Sequence, residues 1–132
     1  MGNTKERGFT LIELVMVIVV LGILGAVAAP QYVDLQSDAK IANENGVSGA
    51  VRAGITTYFI DPARGNKTFP AALDAASNAI CSVTNSCFDT VLPGGIRDQW
   101  TKVSASTYRS PRNGTNVWTY SSTNGSFSKT TA

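Results

Sequence analysis

The chain has 132 residues, room for one small domain plus an anchor. A net charge of +2 is too small to imply nucleic-acid binding as the main role. With no histidine, the chain lacks the commonest general base and metal ligand, which argues against Ser-His or Cys-His catalysis and for a protein that is not an enzyme. Charged residues are 15% of the chain against about 25% in typical domains, and they are unevenly spread. From Leu14 to Val33 there is none, while the last third is rich in Ser, Thr, Asn and Gly. The N-terminal block therefore serves a different solvent from the rest.

Residues 1–8 are polar, and Lys5 and Arg7 favour the cytoplasmic side of a membrane. Residues 9–30 are apolar apart from Glu13 and Thr10, Gln being absent until position 31. A helix of about 22 residues reaches roughly 33 Å, enough to cross a bilayer core of about 30 Å once. Pro30 predicts a kink rather than a stop, because residues 31–60 continue in a helical pattern. One row there is Leu35, Ala39, Ala42, Gly46, Ala50 and Ala53, and a second is Val47, Val51, Ile55 and Tyr58. Asp34, Asp38, Lys40, Asn43, Glu44, Ser48 and Arg52 form the expected polar face, which places this half outside the membrane. Gly46, Gly49 and Gly54 each weaken a helix by about 1 kcal/mol relative to Ala, so they mark close packing against a sheet or a neighbouring subunit.

Asp61-Pro62-Ala63-Arg64-Gly65-Asn66 is a breaker cluster that ends the long helix and opens a head of residues 61–132. A short helix is expected over 69–80 and a loop over 81–95. Strands are expected at 100–103, 107–109, 116–122 and 126–129, the last two joined by a hairpin turn at Thr123-Asn124-Gly125. Cys81 and Cys87 form a close pair, and outside the cytoplasm a disulfide between them would stabilise the domain by roughly 2 kcal/mol. Arg97, Lys102, Arg109, Arg112 and Lys129 interleave with Trp100, Tyr108, Trp118 and Tyr120. That pattern is either a DNA-binding face or a solvated sheet face over core aromatics, and alternation along the strand favours the second. Asp89 and Asp98 flank a Gly-rich loop but are too few for a calcium site, so no metal and no cofactor is expected. Asn66, Asn113 and Asn124 open N-x-S/T sequons, which points to exposed loops.

The run Arg7-Gly8-Phe9-Thr10-Leu11-Ile12-Glu13-Leu14 resembles the class III signal of type IV prepilins and pseudopilins: a basic leader ending in Gly, then Phe, then a carboxylate four residues into an apolar helix. The resemblance implies an α+β pilin fold, a long N-terminal helix packed on a small antiparallel sheet. It implies a leader, 1–8, removed by prepilin peptidase between Gly8 and Phe9, with N-methylation of Phe9. It implies an inner-membrane single-pass stage through 9–30, an assembly platform in that membrane, and polymerisation with itself and other pilins into a surface filament used for adhesion, motility or attachment. Ala29-Pro30-Gln31-Tyr32, followed by 34–39, is similar to mannose-sensitive haemagglutinin pilins. Pseudopilins of type II secretion and DNA-binding minor or competence pilins share the same N-terminal signal.

Glu13 is the informative residue, because a carboxylate in a membrane costs on the order of a few kcal/mol and needs a partner. In similar pilins that partner is the Phe9 amine of the adjoining subunit, which sets register during assembly. Two plainer readings compete. Glu13 could reach the headgroups from one turn deep, and the segment could be an ordinary secretory signal cut at Ala26-Val27-Ala28, although that leaves Glu13 unexplained.

Overall fold

A computed structural model describes residues 8–65, 67–112 and 114–131. Lys5, Arg7 and the rest of the leader before Gly8 lie outside them, as do Asn66 and Asn113. The chain is α+β, with one helix, α1 (Leu11–Ile60), followed by a 3-10 turn, Pro62–Arg64, and four short strands. It divides into two compact units, Met1–Asp38 and Ala39–Ala132.

In the first unit every described apolar side chain of α1 is exposed, from Leu11 to Val27 and at Tyr32 and Leu35. Helical structure continues through Pro30 without a stop. Among the described residues of this unit nothing covers the apolar surface, and such a surface suits contact with lipid or with other chains.

In the second unit, α1 lies on the sheet through Glu44, Ser48, Val51 and Ile55, all nearly inaccessible. Their spacing of four, three and four keeps them on one face. Val47 and Tyr58 border it, so the second apolar row does face the core. The expected polar face is corrected, however, because Glu44 and Ser48 are buried while Ala39, Ala42, Gly46, Ala50 and Ala53 are exposed. The sheet supplies the reason: it carries hydrogen-bond donors to Glu44, and a buried carboxylate is tolerated where it is paired. Gly54 is the one helical glycine under close packing here, since a Cβ would run into the Val91 carbonyl, whereas one on Gly46 or Gly49 would meet nothing within 4 Å.

Asp61 stops the helix as expected and caps the following turn, its Oδ1 accepting from the Ala63 amide at 3.0 Å. The helix expected over 69–80 does not form. Its backbone groups serve other segments: the Pro70 carbonyl accepts from the Tyr120 hydroxyl at 2.6 Å, and the Leu73 carbonyl from the Thr90 amide at 3.1 Å. Local propensity is outbid by these long-range partners.

The strands β1 (Thr101–Lys102), β2 (Thr107–Arg109), β3 (Asn116–Ser121) and β4 (Ser126–Thr131) form an antiparallel meander in the order β1-β2-β3-β4. Ile80 bridges Thr101 on the outer edge of β1. The β3–β4 hairpin turns at Gly125, whose φ of 68° favours glycine, and Asn124 holds the turn by accepting from the Ser126 amide at 3.1 Å. Asn116, Trp118 and Tyr120 alternate inward along β3. Trp118 and Tyr120 join Phe88, Trp100, Tyr108 and Phe127 in an aromatic core, in which Phe88 and Tyr108 lie 4.3 Å apart and Trp118 and Phe127 5.3 Å. The rings of the basic aromatic stretch are thus core and not available to stack on nucleic-acid bases, and of its cations Lys102 is not on a solvated face but buried, because Asp74 supplies it with a partner inside.

Two buried carboxylates hold the head. Asp74 Oδ1 takes the Lys102 ammonium, and its Oδ2 accepts from the Phe88 amide and the Tyr108 hydroxyl, each at 2.8 Å. Burial, reinforced by the Asp74 charge and hydrogen bond, pushes the Tyr108 phenol far up, so it stays a donor at any physiological pH. Cys81 and Cys87 are bonded, with Cα atoms 5.5 Å apart, and close the loop beside this cluster.

Candidate functional site

The chemistry of the first unit is concentrated where α1 begins. Gly8, Phe9 and Thr10 precede the first helical residue, Leu11. Phe9 is 90% exposed. A Cβ on Gly8 would meet nothing within 4 Å, so nothing in the chain's own packing requires glycine there.

Glu13 stands one turn in, the sole charge among exposed apolar side chains from Phe9 to Val27. Its carboxylate is not idle. Oε2 accepts from the Thr10 amide and from the Thr10 hydroxyl, both at 2.9 Å, while the Thr10 hydroxyl accepts from the Glu13 amide at 3.3 Å. This reciprocal arrangement is a capping box, with Thr10 as N-cap and Glu13 at the third helical position. It satisfies backbone donors that the first turn of any helix leaves without partners. Thr10 is the residue that the reading of the motif missed. Its signal was in the sequence, since Thr-Leu-Ile-Glu has the S/T-x-x-E form of such a box.

The capping box bears on what Glu13 can do next. Only Oε2 is engaged by Thr10, and no described residue bonds to Oε1. A carboxylate presents about four lone-pair sites, so an ammonium from outside the chain can be received without dismantling the box. The helix N-terminus itself carries partial positive charge, which favours a carboxylate at this position.

The second unit has its own acidic centre at Glu44. Its carboxylate accepts from Ser110 Oγ at 3.1 Å, Asn116 Nδ2 at 3.0 Å and Trp118 Nε1 at 3.2 Å, and pairs with Lys129 at 3.2 Å. Burial pushes this carboxyl up, but the hydrogen bonds from Asn116, Lys129 and Ser110 and the Lys129 charge outweigh burial and hold it below its ordinary value of 4.5. A carboxyl lowered on folding contributes stability that is present above the unfolded value and lost as pH falls through the folded one. Thermal unfolding followed from pH 7 to 3 is therefore expected to show Tm dropping below about pH 4.5. Glu44→Gln should be less stable at neutral pH and show a shallower drop, and an identical pH profile would remove Glu44 from the explanation.

No cluster of three or more His, Cys, Asp or Glu arranged to hold a metal occurs among the described residues. Asp89 bonds to Ser86 at 3.5 Å and Asp98 to Gln99, so the sequence pair does not converge on one point through any recorded contact.

The profile of the prokaryotic N-terminal methylation motif matches residues 3–29, which contain the whole site around Thr10 and Glu13. Among curated proteins, the chain is 36% identical over 99 residues to the type IV narrow pilus major component PilA5 of Thermus thermophilus, covering 65% of this chain and 84% of that protein. It is 36% identical over 78 residues to the type IV major pilin PilE of Neisseria gonorrhoeae, covering 59% of this chain and 47% of that one. It is 32% identical over 98 residues to the type IV major fimbrial protein FimA of Dichelobacter nodosus, covering 71% of this chain and 61% of the relative. The chain thus spans most of the Thermus relative but about half of the gonococcal one. No solved structure gives a significant match. With the motif, the helix-and-sheet fold and identity along most of a pilin's length in agreement, the chain belongs to the type IV pilin family.

Proposed function

We propose that this chain is made as a precursor, held across the inner membrane by residues 9–30, cut between Gly8 and Phe9, N-methylated on Phe9, and polymerised with copies of itself into a surface filament. The observation that carries the reading is Glu13, a lone carboxylate one turn into an exposed apolar helix. No cation among the described residues is bonded to it, which leaves it open to a partner from another molecule. Cleavage at Gly8 creates that partner, a new ammonium on Phe9, and removes Lys5, Glu6 and Arg7 from the helix end. The ammonium of one copy then pairs with Glu13 of the next and sets the axial register, while apolar side chains exchange lipid contacts for contacts with other copies.

The open surroundings of Gly8 support a role in recognition, since a bare backbone lets a peptidase approach closely. In this scheme a prepilin peptidase processes the chain on the cytoplasmic side, an inner-membrane assembly platform extracts it, and the second unit faces the periplasm and then the exterior. The chain's own residues supply structure and not catalysis. The names of the relatives, all major pilin or fimbrial components, favour a long filament over the short piston of a secretion pseudopilin.

Intact-mass measurement and N-terminal sequencing of filament subunits test the scheme. The expected chain starts at Phe9 and carries one added methyl group, whereas a start at Ala29 would refute the pilin route. Gly8→Val should accumulate as full-length precursor in the membrane.

A further inference from the structure

Asp74 and Lys102 form a buried pair that the assembly scheme does not use. Their side chains are 0 and 6% exposed, and they are in direct contact, the Lys102 ammonium on Asp74 Oδ1. The backbone fixes both partners. Lys102 stands on β1, where its amide donates to the Ala79 carbonyl at 3.0 Å and its neighbour Thr101 is bridged by Ile80, so β1 is fastened to the segment that follows Asp74. Lys102 Nζ is held from a second side by the Ala76 carbonyl at 2.9 Å. An amine fixed against a carboxyl group has both halves of an amide in place. In well-oriented intramolecular reactions such placement corresponds to an effective concentration of about 10⁵–10⁸ M.

The carboxyl group is also set up for attack. Oδ2 accepts from the Phe88 amide and the Tyr108 hydroxyl, each at 2.8 Å, and Oδ1 accepts from the Ala76 amide at 3.2 Å as well as from Lys102. Two donors on one oxygen are what an oxyanion hole supplies when a carbonyl carbon becomes tetrahedral. Burial keeps the Tyr108 phenol protonated, so both donors persist. In water an amine and a carboxylic acid stay apart as hydrated ions, and water reverses any condensation. Beside Phe88 and Tyr108 in the aromatic core, the hydration that favours the ions and the water that would cleave an amide are both excluded.

We propose that Lys102 and Asp74 condense to an isopeptide bond, Nζ of Lys102 joined to Cγ of Asp74, with loss of one water. One proton passes along the existing hydrogen bond from Nζ to Oδ1 and leaves a free amine. Nζ then attacks Cγ, and the charge that develops on Oδ2 is met by the Phe88 amide and the Tyr108 hydroxyl. A second Nζ proton goes to Oδ1, the Cγ–Oδ1 bond breaks, and Oδ1 departs as water while the new amide keeps the last Nζ proton. Every atom and proton comes from the two side chains. The bond closes residues 74–102 into a ring that contains the Cys81–Cys87 disulfide, so the head carries two nested cross-links.

Mass spectrometry of the full chain, extracted from membranes and reduced, tests the bond. The wild-type chain should weigh about 18 Da, one water, less than its sequence in the same processed form, and the Asp74→Ala and Lys102→Met chains should lack that loss. Trypsin should fail to cut after Lys102 and should release a branched peptide, 68–97 joined to 98–109, that gives two N-terminal residues, Thr68 and Asp98, on sequencing. Complete cleavage after Lys102 in the wild-type chain, or a loss of about 18 Da carried by peptide 68–97 alone, overturns the proposal. In a pulse-chase, Tyr108→Phe should form the link at least about tenfold more slowly, because one donor to Oδ2 is gone. Formation at the wild-type rate overturns the role given to that hydroxyl. The readout needs neither cleavage at Gly8 nor a filament, so it stands or falls separately from the assembly scheme.

Discussion

Glu13→Gln should yield subunits that insert and are cleaved but polymerise at less than about a tenth of the wild-type level. Glutamine serves at the third position of a capping box as glutamate does, so Thr10 keeps its partner and the first turn of α1 stays capped. What disappears is the negative charge alone. The Phe9 ammonium of a neighbouring copy would then enter an apolar filament core without a counter-ion, at a cost on the order of 2–3 kcal/mol, where about 1.4 kcal/mol already corresponds to tenfold. Glu13→Leu removes both the charge and the box and makes the segment more apolar. If the helix were only an anchor, that variant would be retained equally well and would form filaments normally. Quantified sheared filaments and membrane pools, in cells making no wild-type chain, separate the two models. Normal filament yield from cleaved Glu13→Leu subunits would show that the charge pair does not drive assembly.

The second large effect is expected at Asp74. Asp74→Ala leaves the Lys102 ammonium, the Phe88 amide and the Tyr108 hydroxyl without their shared acceptor in the aromatic core. Breaking a buried ion pair by removing one partner costs about 3–5 kcal/mol, a large part of the roughly 5–15 kcal/mol that stabilises a typical domain. At about 4–8 °C per kcal/mol for a domain of this size, Tm should fall by at least about 12 °C. Adding Lys102→Met to Asp74→Ala should recover part of that loss, because it removes the stranded charge while keeping an apolar chain of similar length. Denaturant unfolding of the single and double variants checks both statements. A single-variant loss below about 1 kcal/mol, the size of a surface pair, would mean the site is wetter than its burial indicates.

The three carboxylates illustrate a division of labour between the units. Glu13 is engaged by its own helix turn and open to a partner from outside, which suits a group used in assembly. Asp74 and Glu44 are closed off by partners from the same unit, which suits groups that hold a fold.

The amino-acid sequence alone determined the features whose causes are local. The apolar block after Phe9 reads as a separate solvent environment, and Glu13 stands three residues after Thr10, the spacing of a capping box. Asp61 and Pro62 end the helix by their own backbone chemistry, and Asn124-Gly125 makes the β3–β4 turn for the same reason. Even Thr10, overlooked, was legible from a four-residue pattern. Tertiary structure decided which side of residues 39–60 is buried. Glu44 reads as a solvated residue until Ser110, Asn116 and Trp118, 66 to 74 positions away, are brought to it. Residues 69–80 read as a helix until Tyr120 and Thr90 claim the Pro70 and Leu73 carbonyls. Hydrogen bonds of that range leave no periodic trace in the chain, because the partner that stabilises a residue stands on a different element and is chosen only when the sheet closes on the helix.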